Sequence, residues 1–417
     1  MANHLNAAKS KQTPSLLGGA LIIAGTTVGA GMFSLPVVSA GMWFNYSLVV
    51  LLVMWAFMLI SGLLLLETNL HFEPGASFDT LTKETLGPGW RLVNGLSIAF
   101  VLYILTYAYV SGGSSMVALS AEGLGLQIAQ PLAGLIFGAV LAGVVFISTK
   151  AVDRITSIML GAMIITFALS IGSMVGGVDT NILFNPDGNQ SFSPYILAAL
   201  PFALASFGYH GNVPSLVKYY GKEPKRVGYA IGLGTAIALV IYLLWQVAAM
   251  GNLPRSQFDE IIAQGGNMGV LVGALSDVLN NEWLSKSLQL FANLAVASSF
   301  LGVTLGLFDY IADLFSFDDS RNGRLKTAAV TFLPPILMGI LFPNGFIFAI
   351  GFAALAATVW TLIVPALMAR KSRQQFARSD FRVPGGNLVL GLVFALGILV
   401  AVCHLLAMAN YLPTYPN

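Results

Sequence analysis

The sequence predicts an all-α polytopic membrane protein with eleven transmembrane helices: two five-helix units of opposite orientation plus one further helix, with helices one and six broken. Three observations lead there. Of 417 residues, 56% are hydrophobic and only 9% charged, against about 25% charged in a soluble domain. Apolar stretches of about 20 residues, each long enough to cross a bilayer, recur along the chain. Two of these stretches are interrupted in corresponding halves, and paired interruptions point to the binding site of a secondary transporter.

The first interruption is Gly25-Thr26-Thr27-Val28-Gly29-Ala30-Gly31-Met32-Phe33. Each glycine costs a helix about 1 kcal/mol relative to alanine. A break at membrane depth frees N–H and C=O groups, and the bilayer tolerates these only where the backbone lines a cavity or is buried in protein. The second interruption is Phe207-Gly208-Tyr209-His210-Gly211-Asn212-Val213-Pro214.

Hydropathy places the spans at 15–40, 45–69, 91–118, 132–149, 155–176, 195–219, 227–250, 285–314, 325–342, 345–370 and 388–411. Turn-forming clusters such as Glu73-Pro74-Gly75, Gly87-Pro88-Gly89 and Phe342-Pro343-Asn344-Gly345 separate them. With residues 1–14 as a cytoplasmic tail, only Arg255 and Lys286 of the 20 basic residues fall on the outer side. This asymmetry sets the orientation: N-terminus cytoplasmic, C-terminus periplasmic. The inner loop 71–90 predicts a short helix from Ser77 to Leu86. The outer loop 251–284 predicts a helical hairpin: Ser256 caps a first piece with Asp259 and Glu260 in its opening turn, Gly265-Gly266 ends it, and a second piece begins at Met268. One broken helix opens the unit 15–176 and the other opens 195–370. With an odd number of spans in each, the two units run in opposite directions, and 388–411 stands outside them.

Composition also excludes. The single cysteine, Cys403, allows no internal disulfide and no cysteine-based metal cluster. A net charge of +2 gives no reason to expect nucleic acid. There is no P-loop, no HExxH and no nucleophile elbow, so neither an ATP-driven pump nor an enzyme is expected, and no cofactor. A channel needs a continuous polar lining, and these spans offer only scattered hydroxyls and two breaks. A transporter-like sensor remains the alternative from another class.

The stretch Ile22 to Pro36 resembles the first helix of the bacterial aromatic amino acid permeases. So do Phe100 to Tyr109 in span three, Leu204 to Leu216 in span six and Ala295 to Tyr310 in span eight. The resemblance covers nearly the whole chain, tails excepted. It implies a LeuT-type fold of the amino acid–polyamine–organocation superfamily in the bacterial inner membrane, and proton-driven uptake of an aromatic amino acid, tryptophan first. Proton-driven relatives often carry a lysine in span five where a sodium ion sits in sodium-coupled members; here that position is Met163. The coupling ion is then a proton carried by His210 or an acidic residue, or sodium.

The candidate site follows from the breaks. N–H groups freed near Thr26, Thr27, Gly29, Ala30 and Gly31 can cradle an α-carboxylate, helped by a half-helix dipole. Carbonyls freed around Ser206, Phe207, Gly208 and Tyr209 can accept the α-ammonium, so that no charged side chain is needed. Tyr103 and Tyr107, four apart, share one face of span three. With Phe207 and Tyr209 they form a candidate aromatic wall, or else ordinary packing. His210 is a candidate proton relay, or a neutral ring that closes the broken helix. Ser298 and Ser299 are candidate ion ligands, or else make helix–helix hydrogen bonds. Glu67, at the inner end of span two, is a candidate for ion coupling or for an ion pair. Asp309 and Asp313, at the inner end of span eight, are candidate gate residues that pair with cytoplasmic cations.

Overall fold

A computed structural model describes residues 15–184, 191–279, 281–377 and 381–416. Among these, ten helices are long and apolar enough to cross a membrane: Trp43–Asn69, Pro88–Glu122, Gln130–Ile147, Thr149–Gly176, Ser193–Tyr220, Pro224–Met250, Glu282–Phe315, Arg321–Leu341, Phe346–Gln375 and Gly386–Met408. A bent pair, Leu16–Thr27 and Ala30–Ser39, meets at 51° and makes the eleventh, which is span one. The fold is all-α, and the spans are numbered below in this order.

The ends of the spans follow local rules. Ser15, Ser148, Asn281 and Ser320 accept backbone N–H bonds at the starts of spans one, five, eight and nine. Pro88 and Pro224 open spans three and seven, where a missing N–H costs nothing. Ser77 caps the inner-loop helix Phe78–Leu86 as expected. In the outer hairpin, Gly265 and Gly266 both take positive φ, 79° and 64°, and stop the first piece, Gln257–Ala263. Ser256 does not cap that piece. It sits in helical conformation with no side-chain bond, whereas Asn267 caps the second piece, Met268–Val278.

The packing reveals the repeat. Span one packs on seven, and span six on two. Eight packs on five, and three on ten; three packs on four, and eight on nine. Seven packs on five and two on ten, while three meets eight and two meets seven. Exchanging each of the first ten spans with the one five places away returns each of these pairings, as an inverted repeat requires, while the packing of ten on six has no comparable counterpart between five and one. Span eleven lies outside this scheme, against ten and the outer half of six.

The interface of spans one and seven is close because Gly234 leaves no room. A Cβ there would fall 2.5 Å from the carbonyl oxygen of Ala20 and 2.6 Å from Cβ of Ile23. Small residues at such crossings let membrane helices approach. Gly234→Leu therefore forces the two spans apart. The expected result is a lower unfolding temperature of the purified protein, read by size-exclusion after heating, with a drop in uptake.

Candidate functional site

Both breaks are real interruptions of the helical ladder. The inner half of span one ends at Thr27. Val28 and Gly29 are extended, and a 3₁₀ turn, Ala30–Phe33, leads into the outer half. The N–H groups of Gly29 and Gly31 make no hydrogen bond among the described residues, whereas that of Ala30 donates to Ser299 Oγ at 3.0 Å. In span six the outer half ends at Ala205, a 3₁₀ turn covers His210–Asn212, and the inner half is Val213–Tyr220. The carbonyls of Ala205 and Gly208 accept nothing among the described residues.

One side chain ties the breaks together. The hydroxyl of Tyr242, from span seven, lies 2.6 Å from the carbonyl oxygen of Thr27 and 2.6 Å from that of Ser206. It donates its one proton between them. The Tyr242 ring is fully buried and meets Phe207 edge-on at 5.3 Å. A second tie runs from Asn212 Nδ2 to Thr26 Oγ1. Trp245, one turn beyond Tyr242, donates to Met32 O at 3.0 Å and packs on Phe33, which also meets Phe291. These fully buried aromatic rings close the outer side of the break. Farther out, Arg255 donates to the carbonyls of Ala40 and Gly41 at 2.9 and 3.0 Å and lies over the rings of Phe192 and Tyr415.

The inner side is different. Gly25, Thr26, Gly211, Gly302, Gly306 and Asp309 are exposed. A Cβ at Gly31, Gly211, Gly302 or Gly306 would meet no neighbour within 4 Å. Ser298, Ser299, Gly302, Gly306, Asp309 and Asp313 follow helical spacing along one face of span eight. They form a polar stripe from the break to the C-terminal end of span eight, a surface unsuited to lipid. Asp309 and Asp313 make no ion pair among the described residues. Arg324 pairs instead with Asp319 at 2.8 Å.

The remaining candidates separate. Tyr103 and Tyr107 turn their hydroxyls to the carbonyls of Val330 and Phe342, at 3.0 and 2.9 Å, in span nine and its outer end. Residue 109, about half a turn from 107, faces the other way: Tyr109 lies beside Ser299 and Tyr242. Tyr209 is fully buried, its hydroxyl on Met58 O at 3.0 Å and its ring against Gly62 of span two. His210 is fully buried as well, stacked on Tyr209 at 4.7 Å and edge-on to Trp360 at 6.2 Å. Neither ring nitrogen of His210 has a hydrogen-bond partner among the described residues. Ser298 Oγ lies 3.2 Å from the carbonyl oxygen of Ala295, one turn back in its own helix, and 3.4 Å from Met163 Sδ. Glu67 is paired: Arg373 Nε and Nη2 reach its two oxygens at 2.7 and 2.8 Å, and the N–H of Val383 adds a third bond at 2.8 Å. Trp360 and Thr361 belong to a π-helical turn, Val359–Ile363, in span ten, and Ser61 of span two bonds to the carbonyl of Thr361.

Two substitutions test these ties. Tyr242→Phe leaves two buried carbonyls without a donor, at about 1–3 kcal/mol for each such group. A lower unfolding temperature and slower uptake at normal surface expression are expected. Arg373→Ala leaves the Glu67 carboxylate buried without a counter-charge, held only by the Val383 N–H, a loss of about 3–5 kcal/mol. Adding Glu67→Gln should recover much of it, measured by chemical denaturation of single and double variants.

Known proteins of similar sequence and of similar fold set this site in context. A sequence model described as the tryptophan/tyrosine permease family matches residues 12–404. The chain is 57% identical over 404 residues to a tryptophan-specific transport protein of Pseudomonas aeruginosa, covering 96% of this chain and 97% of that protein. It is 45% identical to the low affinity tryptophan permease of Escherichia coli, over 98% and 99% of the two chains. It is 41% identical to the tyrosine permease of Enterobacter agglomerans, over 97% and 99%. Among solved structures, a nucleobase-cation-symport-1 family transporter, in a closed conformation with bromovinylhydantoin bound, superposes with a TM-score of 0.58 at 18% identity, covering 95% of this chain and 93% of that one. That likeness concerns the fold, a LeuT-type bundle. On its sequence from end to end, the chain belongs to the tryptophan/tyrosine permease family.

Proposed function

We propose that the protein is a secondary active importer of an aromatic amino acid, with tryptophan as the first substrate. The observation that carries this reading is the pair of breaks held side by side by Tyr242. One offers the unpartnered N–H groups of Gly29 and Gly31. The other offers the unpartnered carbonyls of Ala205 and Gly208. Donors on one side and acceptors on the other suit the carboxylate and ammonium of a free amino acid. Tyr109 and Phe207 are the aromatic residues beside this clamp, and an indole has ring faces and edges to meet them. The names of the similar permeases support tryptophan over other aromatics.

The two five-helix units are 15–176 and 195–370, with 388–411 as an appendage, and they alternate access to the clamp. The buried outer rings and the exposed inner stripe support an inward-facing arrangement. The protein lies in the inner membrane with its N-terminus cytoplasmic. In a background lacking Cys403, cysteine placed at Glu84 should be protected from an impermeant thiol reagent in intact cells, and cysteine at Asp277 labelled. The reverse pattern overturns the orientation.

The coupling ion is a proton. The thioether sulfur of Met163 sits 3.4 Å from Ser298 Oγ, a candidate sodium ligand, and a thioether is a poor partner for a hard cation. Glu67 is held by Arg373 and Val383, which leaves His210 as the titratable group within the breaks. A buried polar ring with no hydrogen bond calls for a functional account. In proteoliposomes a proton gradient should drive accumulation of labelled tryptophan, and a sodium gradient should not. His210→Gln should keep exchange between equal pools while losing accumulation driven by a pH gradient. Normal accumulation in that variant rejects His210 as the carrier. Gly31→Val tests the clamp separately. Its side chain enters open space without meeting a neighbour, so a folded protein that no longer binds tryptophan is expected.

A further inference from the structure

We propose that a groove between the inner ends of spans ten and eleven binds the headgroup and upper acyl chain of an anionic phospholipid, with Arg370 as the phosphate ligand. The groove encloses about 320 Å³. Leu367, Leu390, Gly391 and Phe394 form its apolar walls, and Arg370 and Asn387 stand at its mouth. Gly391 keeps it open, since a Cβ there would meet nothing within 4 Å.

The mouth is electrically unfinished. Four other arginines at this end of the molecule are matched, Arg91 to Asp79, Arg226 to Glu223, Arg324 to Asp319 and Arg373 to Glu67, whereas Arg154 and Arg321 are exposed without an ion pair among the described residues. Arg370, one turn before Arg373, is exposed and has neither an ion pair nor a hydrogen bond among the described residues. Lys371 and Arg382 are exposed nearby in sequence and are likewise without a carboxylate partner among the described residues. Span eleven begins at Gly386 with no side-chain cap, so its first N–H groups and the positive end of its dipole add to the same field. A cationic mouth over an apolar cleft is the complement of an anionic lipid: phosphate at the interface, acyl chain below it. A planar guanidinium suits phosphate through two parallel hydrogen bonds. A soluble anion would use the mouth and leave the cleft unfilled; a neutral lipid would fill the cleft and leave Arg370 unmatched.

The site lies apart from the transport clamp and rests only on the cytoplasmic placement of these span ends. The test uses the full chain in nanodiscs of phosphatidylethanolamine containing phosphatidylglycerol. Native mass spectrometry then counts phosphatidylglycerol retained after release. Arg370→Gln should lower the apparent affinity for one phosphatidylglycerol by about fivefold, the size expected for one interfacial cation at about 1 kcal/mol. Arg370→Lys should recover part of it. Gly391→Phe, which fills the cleft and keeps every charge, should weaken retention to a similar degree. Excess inorganic phosphate should not displace the lipid. Equal retention in all four proteins overturns the proposal. Loss in Arg370→Gln together with full retention in Gly391→Phe overturns the acyl-chain half of it. Displacement by phosphate reassigns the mouth to a soluble anion and overturns the lipid.

Discussion

The structure depends on a single hydroxyl. In the apolar depth of a bilayer a broken helix must find partners for its freed backbone groups, because no water is there to supply them. Tyr242 supplies one donor to two such ends at once, Thr27 of span one and Ser206 of span six. The Thr27 carbonyl belongs to the inner half of span one and the Ser206 carbonyl to the outer half of span six. The bond therefore joins the first half-helices of the two repeats at the point where each breaks off. Nearby, the N–H groups of Gly29 and Gly31 and the carbonyls of Ala205 and Gly208 stay unmatched among the described residues.

Around this centre the charged side chains mark the two faces. Arg255 binds the carbonyls at the outer end of span one and is enclosed by aromatic rings. Glu67 and Arg373 join spans two and ten at the inner face, and their side chains are 2% and 9% exposed. A buried ion pair of this geometry contributes little net stability over an apolar pair of equal shape. It does fix which residues meet. The polar stripe of span eight, by contrast, carries carboxylates that make no ion pair among the described residues.

Much of the architecture was legible in the sequence, because the bilayer reduces span recognition to length and hydropathy. Trp43–Asn69 and Pro224–Met250 fall within a few residues of the expected spans. The glycines announced both breaks. The side-chain assignments were harder. The spacing of Tyr103 and Tyr107 says that they share a face and is silent on which neighbour that face meets. It met span nine, while Tyr109 took the place beside the break. Tyr242 and Trp245 lie in an unbroken apolar span with nothing in the local pattern to single them out. Their role exists only once span seven is laid against span one. Arg255 was visible as an outlier in the charge distribution, and the meaning of that outlier needed the folded outer mouth.

The π-helical turn in span ten has a further consequence. An extra residue in one helical turn rotates everything beyond it by about 100° relative to a regular α-helix. Span five, the counterpart of span ten in the other repeat, is one regular helix, Thr149–Gly176. The two halves are thus related in topology and unequal in detail. A machine of two identical halves would have outward and inward forms of equal energy, and nothing but its load would choose between them. An offset built into one half removes that degeneracy, so symmetry no longer holds the two forms at equal energy.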